Sequence, residues 1–344
     1  ADALKMLFKE DFVPERANRF IFTLCPILAF APVFALFAVV PVAPPITLFG
    51  KTVSLQIASP DVGLLYVFAI ASLAVYGTSL AGWASNNKLA LLGGVRASSQ
   101  MISYEVALGL SLVGAMMAFS TLRLEVMTTA QTTYLWGGDG AFDFGLPAWG
   151  IFLQPFGFIL FFAAAFAETK RAPFDMPEGE SEIIGYFVEY SGMRFGMFMI
   201  AEFVEIVVLS GITAAVFFGG YHLPFGERWL VDQIGPVAMG FIGGMVFWLK
   251  VLVLCWIQLV IRWTFPRFRY DQVQTLGWRM LLPLGLLNVF VTGALMLWDP
   301  SMRWLAIFGI AQIVALIALV VVKASPDDQA HAQVAHAHAH GHGH

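Results

Sequence analysis

The fold class is decided by apolar runs such as VAMGFIGGMVFWLKVLVLCWIQLVIR at residues 237–262, in which Lys250 is the one charge before the terminal Arg262. A helix needs about 20 residues to cross the hydrocarbon core of a bilayer. Because hydrocarbon offers backbone groups no hydrogen-bond partners, such a run must be a helix or a barrel strand. Its continuous apolarity differs from the alternating pattern of a barrel strand. The run therefore predicts a transmembrane α-helix.

Runs of this kind recur along the whole chain. Of its 344 residues, 59% are hydrophobic and 12% are charged, whereas a soluble domain usually has about 25% charged residues. The predicted spans are residues 19–42, 62–84, 100–120, 148–167, 195–218, 237–262, 281–298 and 303–323. We therefore predict an all-α fold, a polytopic transmembrane helical bundle with about eight spans.

The rest of the chain adds two short segments to this single membrane domain at 19–323. Residues 1–18 mix apolar and charged residues at helical spacing, which predicts a cytoplasmic amphipathic segment. Residues 324–344 alternate His with Ala or Gly; this tail could chelate a divalent ion, but its composition favours a disordered tail or an appended tag. Cys25 and Cys255 lie within spans and form no ligand set. We expect no metal site, flavin or iron–sulfur cluster in this chain.

Basic residues predict the orientation, because cytoplasmic loops carry an excess of Lys and Arg. Fourteen lie on one side: Lys5, Lys9, Arg16, Arg19, Lys88, Arg96, Lys170, Arg171, Arg194, Arg262, Arg267, Arg269, Arg279 and Lys323. Four lie on the other: Lys51, Arg123, Arg228 and Arg303. The first side is predicted to be cytoplasmic, in a bacterial inner membrane. The net charge of −4 and the lack of a basic-aromatic patch argue against a nucleic-acid partner.

Ionisable residues inside spans are candidates for function, because each costs about 2.5–3.5 kcal/mol to insert. They are Glu105, Glu202, Glu205 and Lys250. We predict that Lys250 pairs with Glu205; a static ion pair or a snorkelling lysine is the alternative. Glu105 and Glu202 are predicted to lie about two turns inside the cytoplasmic surface. The outer half of each span has no ionisable group by this estimate, so protons entering here would leave sideways into a neighbouring subunit.

Two inward loops are unlike the rest of the chain. Residues 168–194 concentrate acidic side chains, among them Glu178, Glu180 and Glu182. Close carboxylates disfavour joint ionisation and can hold and release protons near neutral pH. The alternative is a solvated acidic loop neutralised by Lys170 and Arg171. The other loop, residues 263–280, is basic and aromatic.

Four stretches together closely resemble a known family. They are ETKRAPFDMPEGESE (168–182) followed by VEY (188–190), the stretch from SPDVGLLYV to MISYEV (59–106), IAEF (200–203) and PRFRYDQ (266–272). Their order and sequence are similar to the quinone-tunnel subunit of respiratory complex I, NADH:quinone oxidoreductase, over about residues 1–298. Any one stretch is weak support, whereas the set is highly specific.

The resemblance implies roles for particular residues. Carboxylates proposed in the family for proton coupling match Glu105, Glu168, Glu178, Glu180, Glu182, Glu189 and Glu202, and to these we add Glu205 and Lys250 from their positions in spans. The quinone path corresponds to Arg194, Phe195, Phe198, Met199, Arg267, Arg269 and Asp271. The resemblance implies a quinone as bound substrate and partners among the peripheral-arm subunits and the small or antiporter-like membrane subunits of complex I, within membrane lipid.

The chain also departs from the family pattern. The family usually begins with a further transmembrane helix, which is expected to be missing here. The interval between Glu182 and Glu189 is one residue short, and Lys170 replaces a small polar residue. Two other interpretations stay open: the membrane anchor of a related [NiFe] hydrogenase or formate hydrogenlyase, and a stand-alone cation transporter. The second lacks charges in the outer half of its spans and the paired, interrupted helices typical of inverted repeats.

Overall fold

A computed structural model describes residues 2–48, 51–137, 145–177 and 185–323. The helices are α1 (Asp2–Phe8), α2 (Arg19–Phe37), α3 (Gly63–Ala84), α4 (Lys88–Phe119), α5 (Leu124–Ala130), α6 (Gly150–Leu153), α7 (Pro155–Glu168), α8 (Gly192–Phe217), α9 (Glu227–Ile234), α10 (Pro236–Thr264), α11 (Tyr270–Thr275), α12 (Leu282–Trp298) and α13 (Arg303–Lys323). A π-helical turn, Leu276–Leu281, joins α11 to α12. Two short antiparallel hairpins pair β1 (Ile46–Leu48) with β2 (Lys51–Val53) and β3 (Tyr134–Gly137) with β4 (Gly145–Pro147). The predicted all-α membrane fold is confirmed.

Among the described residues, seven helices are long and apolar enough to cross a membrane. The eighth predicted span, 148–167, is divided at Gln154 into α6 and the 14-residue α7. The break has a local cause, because the residue before a proline is disfavoured in helical conformation, and Pro155 follows Gln154. The Gln154 amide donates to Thr292 Oγ1 at 2.7 Å and accepts from Asn288 Nδ2 at 2.9 Å. The polar groups of the break are thus used to hold α12.

Helix ends differ from the sequence prediction at three places. The predicted span 100–120 begins earlier, at Lys88, so Glu105 lies near the middle of α4 and deeper than predicted. The predicted loop 263–280 is largely helical, because α11 starts at Tyr270. Glu168 and Arg194, predicted to bound a loop, are the last residue of α7 and a residue of the first turn of α8. The connections at this side are therefore shorter than the predicted loops.

Close helix packing rests on small residues. A Cβ atom on Gly77 of α3 would lie 2.6 Å from the Ala29 nitrogen of α2, and one on Gly82 would lie 2.5 Å from the Ala90 carbonyl oxygen of α4. Such contacts require glycine, because helices in lipid associate through van der Waals packing of small residues. Helix α8 is the most enclosed span, with 72% of its most apolar window buried, against 17–22% for α10, the 270–298 span and α13. The core therefore lies around α8.

The two ends of the bundle are built differently. We call the end formed by the start of α4, the connections 169–177 and 185–191, and residues 265–269 the basic end. There α1 packs on α8, with Met6 Sδ 3.1 Å from the Cβ position of Gly196. At the opposite end the Gln131 side chain donates to Ala215 O at 2.8 Å and accepts from the nitrogens of Gly150 and Gly219. This one amide ties α5, α6 and the end of α8 together.

Candidate functional site

Three carboxylates from three helices line one small internal cavity. Glu105 of α4, Glu168 of α7 and Glu205 of α8 meet there; the remaining lining residues are Leu36, Val67, Phe68, Ala71, Leu108 and Leu209. The cavity has about 20 Å³ of space for the centre of a water molecule, which is enough for about one water. Carboxylates in an otherwise apolar wall are costly to ionise together. We call these three residues the acidic cluster.

The acidic cluster is unevenly satisfied. The Ser72 hydroxyl donates to Glu105 Oε1, and Glu105 is half-buried. Glu168 Oε2 is buried and makes no hydrogen bond among the described residues. The negative charges of Glu205 and Glu105 both act on Glu168. Since buried polar atoms are normally paired, Glu168 is the cluster member whose protonation is most sensitive to its surroundings.

Two basic residues lie beside the acidic cluster and are buried. Lys170 and Arg171 are only 4% and 6% exposed, so the alternative in which they lie in a solvated loop is wrong. Lys170 has a left-handed backbone (φ 55°), and its ammonium lies 5.7 Å from the centroid of the Tyr186 ring. Its charge acts on Glu168 and Glu205. The end of α7 thus directs a cation inward.

Arg171 makes a separate buried pair with a fourth carboxylate. Its Nη2 lies 3.2 Å from Glu202 Oε2, and its guanidinium lies 4.5 Å from the Phe203 ring centroid. The Tyr186 hydroxyl donates to Glu202 Oε1 at 3.2 Å. Glu202 and Glu205 are one turn apart on α8 and share a face. Glu202 therefore lies between the acidic cluster and the basic end.

The next charged groups toward the surface are Asp175 and Arg267. Arg267 Nη2 donates to Asp175 Oδ2 at 2.6 Å. Burial raises the pKa of the Asp175 carboxyl, although the Arg267 guanidinium opposes that rise. The charges of Glu202 and Arg171 also act on Asp175. The charged groups thus form a series from the half-exposed Arg267 to the buried acidic cluster.

Aromatic rings surround the start of α8. Phe198 packs edge-on against Tyr186 and Tyr190, with centroids 5.4 and 5.1 Å apart, and Phe195 packs against Phe187 at 5.2 Å. These rings, with Phe22 stacked on Tyr190 at 3.9 Å, are called the aromatic cluster. Burial raises the pKa of the Tyr190 hydroxyl, which therefore stays protonated.

Arg194 is held at the edge of the aromatic cluster. Its Nε lies 3.2 Å from Asp11 Oδ2, and its guanidinium lies 5.7 Å from the Phe22 ring centroid. The residues before α2 reach the same place, because Ser191 Oγ donates to the Glu10 carbonyl at 3.0 Å. The amphipathic segment predicted at residues 1–18 therefore packs against the start of α8.

The remaining predicted site residues are dispersed. Glu189 accepts a hydrogen bond from Asn87 Nδ2 at 2.7 Å. Arg269 and Asp271 form an exposed pair at 3.4 Å beside a surface cavity that Phe268 and Gln272 also line. Met199 is half-buried on α8. Glu178, Glu180 and Glu182 lie outside the described residues.

The predicted pair of Lys250 with Glu205 is wrong. Lys250 Nζ donates to the carbonyl oxygens of Phe218, Gly220 and His222 at 2.7, 2.8 and 2.6 Å, at the far end of α8. Glu205 lies about 18 Å from that helix end at 1.5 Å per residue. A cation at a helix C-terminus is favoured because the last carbonyls lack partners. Lys250 also contradicts the expectation that no charge reaches the outer half of the bundle.

Sequence reasoning missed Ser72 and Tyr186 as partners of intramembrane carboxylates. A usable signal existed for Ser72, because a hydroxyl in the middle of the apolar run 62–84 tends to bond to a neighbouring helix. Tyr186 had no such signal, since its contact with Glu202 depends on how the connection folds back onto α8. Lys170 and Arg171 were noticed only as charges that could neutralise the loop.

The fold and site define a polytopic helical membrane protein with a buried acidic cluster that is linked by charged residues to its basic end. The model of the NADH dehydrogenase family matches residues 1–293. The chain belongs to this family, which confirms the resemblance seen in its sequence.

Its curated relatives agree on one kind of protein. The H-type chain of NADH-quinone oxidoreductase from Flavobacterium johnsoniae is 41% identical over 298 residues, which are 86% of this chain and 81% of the relative. An H-type chain from Geobacter metallireducens is 44% identical over 85% of this chain and 80% of the relative. NADH-quinone oxidoreductase subunit 8 of Rhodothermus marinus is 42% identical over 85% and 81%. These names favour complex I over a hydrogenase anchor or a stand-alone transporter.

Proposed function

We propose that this chain is the bacterial inner-membrane subunit of a proton-pumping NADH:quinone oxidoreductase that forms part of the quinone tunnel and couples quinone reduction to proton translocation. The observation that carries the proposal is the series of charged groups from Arg267 and Asp175, through Arg171 and Glu202, to the acidic cluster. Such a series lets a charge change at the basic end alter the proton affinity of buried carboxylates.

The aromatic cluster and Arg194 form one wall of the quinone passage. Flat apolar rings such as Phe195 and Phe198 suit an isoprenoid tail, and a few polar groups orient the head group. Arg194 is available for the second role, because it is partly exposed and held by Asp11. Met199, Arg267, Arg269 and Asp271 complete the proposed path. The peripheral-arm subunits would close its other side and bring the electrons.

Protons enter the acidic cluster from the basic end, which faces the cytoplasm. Glu202 and Glu205 lie on one face of α8 and lead from Arg171 to the cavity. The cavity has room for about one water to bridge the carboxylates. Within the described residues, Glu105 is the cluster member nearest the outer face of α4, because Ile102 and Val106 beside it are exposed. Protons therefore leave sideways there, into a small or antiporter-like membrane subunit.

Two single substitutions test this function in the intact complex reconstituted in liposomes. Glu168→Gln and Glu205→Gln remove a titratable group while keeping nearly the same shape. We expect both to reduce proton pumping driven by NADH and quinone, while NADH oxidation by an artificial acceptor stays at the wild-type rate. The matched control is Glu125→Gln in α5 at the opposite end, which should pump normally. Normal pumping in both cluster variants would overturn the proposal.

A further inference from the structure

Lys170 is a buried cation whose position is set by the end of α7. The chain leaves the helix with Lys170 at φ 55°, a left-handed conformation that is uncommon for a residue with a Cβ atom. This turn sends the side chain inward, where it is 4% exposed and lies over the Tyr186 ring. An isolated ammonium is costly to bury and is retained where negative charges compensate it.

The charges around Lys170 identify its counter-ions. The titratable and charged groups near it come from α4, α7, α8 and the connection after α7: Glu105, Glu168, Glu202, Glu205, Arg171, Asp175 and Tyr186. Arg171 is engaged by Glu202 at 3.2 Å, and Asp175 by Arg267 at 2.6 Å. Among the described residues, Lys170 is therefore the cation left to balance Glu168 and Glu205.

We propose that Lys170 is a positioning residue that stabilises one negative charge in the acidic cluster and thereby sets the pH range in which the cluster exchanges protons. The proposal rests on the proposed function, because it concerns the same carboxylates. Opposite charges within about 4–6 Å favour the ionised form of a carboxyl group. Without Lys170 the cluster would hold its protons to higher pH and fail to release them near neutrality.

This role is distinct from that of a helix cap. A residue needed only to end α7 would be required for assembly, and replacing its charge would leave the pH dependence of an assembled complex unchanged. A counter-ion has the opposite signature. Its neutral variants assemble, but the pH dependence of pumping moves, and an arginine restores it.

The test uses the complete complex in liposomes with three variants, Lys170→Met, Lys170→Gln and Lys170→Arg. We measure proton pumping against pH together with NADH oxidation by an artificial acceptor. The two neutral variants should move the acid limb of the pumping profile upward by roughly 1–3 pH units, the effect of losing a neighbouring opposite charge. Lys170→Arg should keep the wild-type profile, and artificial-acceptor activity should be unchanged throughout.

Each outcome has a defined meaning. A wild-type pumping profile in either neutral variant would overturn the role of Lys170, even if Glu168→Gln still abolishes pumping. Normal pumping in both Glu168→Gln and Glu205→Gln would instead overturn the proposed function itself. If Lys170→Arg assembles and both neutral variants fail to assemble, the cation serves the folding of the connection, and the proposal is wrong.

Discussion

Replacing Lys250 by Met should weaken the bundle without changing proton pumping per electron. Lys250 Nζ donates to three carbonyl oxygens at 2.6–2.8 Å, those of Phe218, Gly220 and His222, and lies 4.7 Å from the Trp149 ring centroid. These carbonyls belong to the turn after α8, where Gly219 and Gly220 both have left-handed backbones. Methionine keeps the length and the packing of the side chain but has no donor.

The size of the effect follows from two opposing contributions. A hydrogen bond to a charged group contributes about 1.5–3 kcal/mol, whereas an ammonium in a membrane span costs about 2.5–3.5 kcal/mol. Three bonds at the lower value exceed that cost, so the variant should lose roughly 1–2 kcal/mol. The loss grows if the freed carbonyls find no other donor, since a buried unpaired acceptor costs about 1–3 kcal/mol.

Thermal stability and pumping of the purified complex are measured together for Lys250→Met and Lys250→Arg. Lys250→Met should inactivate at a temperature several degrees below the wild type, and Lys250→Arg should lie between them. Protons pumped per electron should stay at the wild-type value in both. An unaltered inactivation temperature combined with lost pumping would refute the structural assignment and return Lys250 to the coupling residues.

Further predictions concern the basic end and helix packing. Arg267→Gln should raise the pKa of Asp175 further above its ordinary value of 3.8, because burial would then act unopposed. The ionised form of a carboxyl with a raised pKa is disfavoured by folding, so stability should fall over a wider interval as pH rises above 3.8. The loss at neutral pH stays below about 1 kcal/mol, since Arg267 is 41% exposed; Arg269→Gln, at an exposed pair, should change neither quantity. Gly77→Val should prevent assembly of the protein into its complex, whereas Gly109→Ala, where a Cβ atom meets nothing within 4 Å, should assemble normally on native gels.

The membrane class and most spans could be predicted because apolarity is a property of each segment alone. The break at Gln154 was missed although Pro155 marks it, since the run 148–167 is apolar on both sides of the break. Helix starts were also missed where polar residues extend a helix beyond its apolar part, as at Lys88. Hydropathy locates the apolar part of a helix and leaves its ends to local backbone chemistry.

The candidate site could be predicted in its members and less well in its contacts. Depth counted along each helix brought Lys250 and Glu205 to a similar level, but it contains nothing about the offset between neighbouring helices. In the structure α10 is displaced so that Lys250 reaches the far end of α8. The meeting of Glu105, Glu168 and Glu205 likewise depends on three helices packing at one cavity, which no segment specifies by itself.

The central claim is that the buried carboxylates change protonation when quinone is reduced. Infrared difference spectroscopy of the whole complex, recorded on quinone reduction, detects this directly through the carbonyl stretch of protonated carboxyl groups. The account predicts a carboxyl signal that is lost in Glu168→Gln and retained in Glu125→Gln. A difference spectrum without a carboxyl signal, or one that Glu168→Gln leaves unchanged, would contradict it.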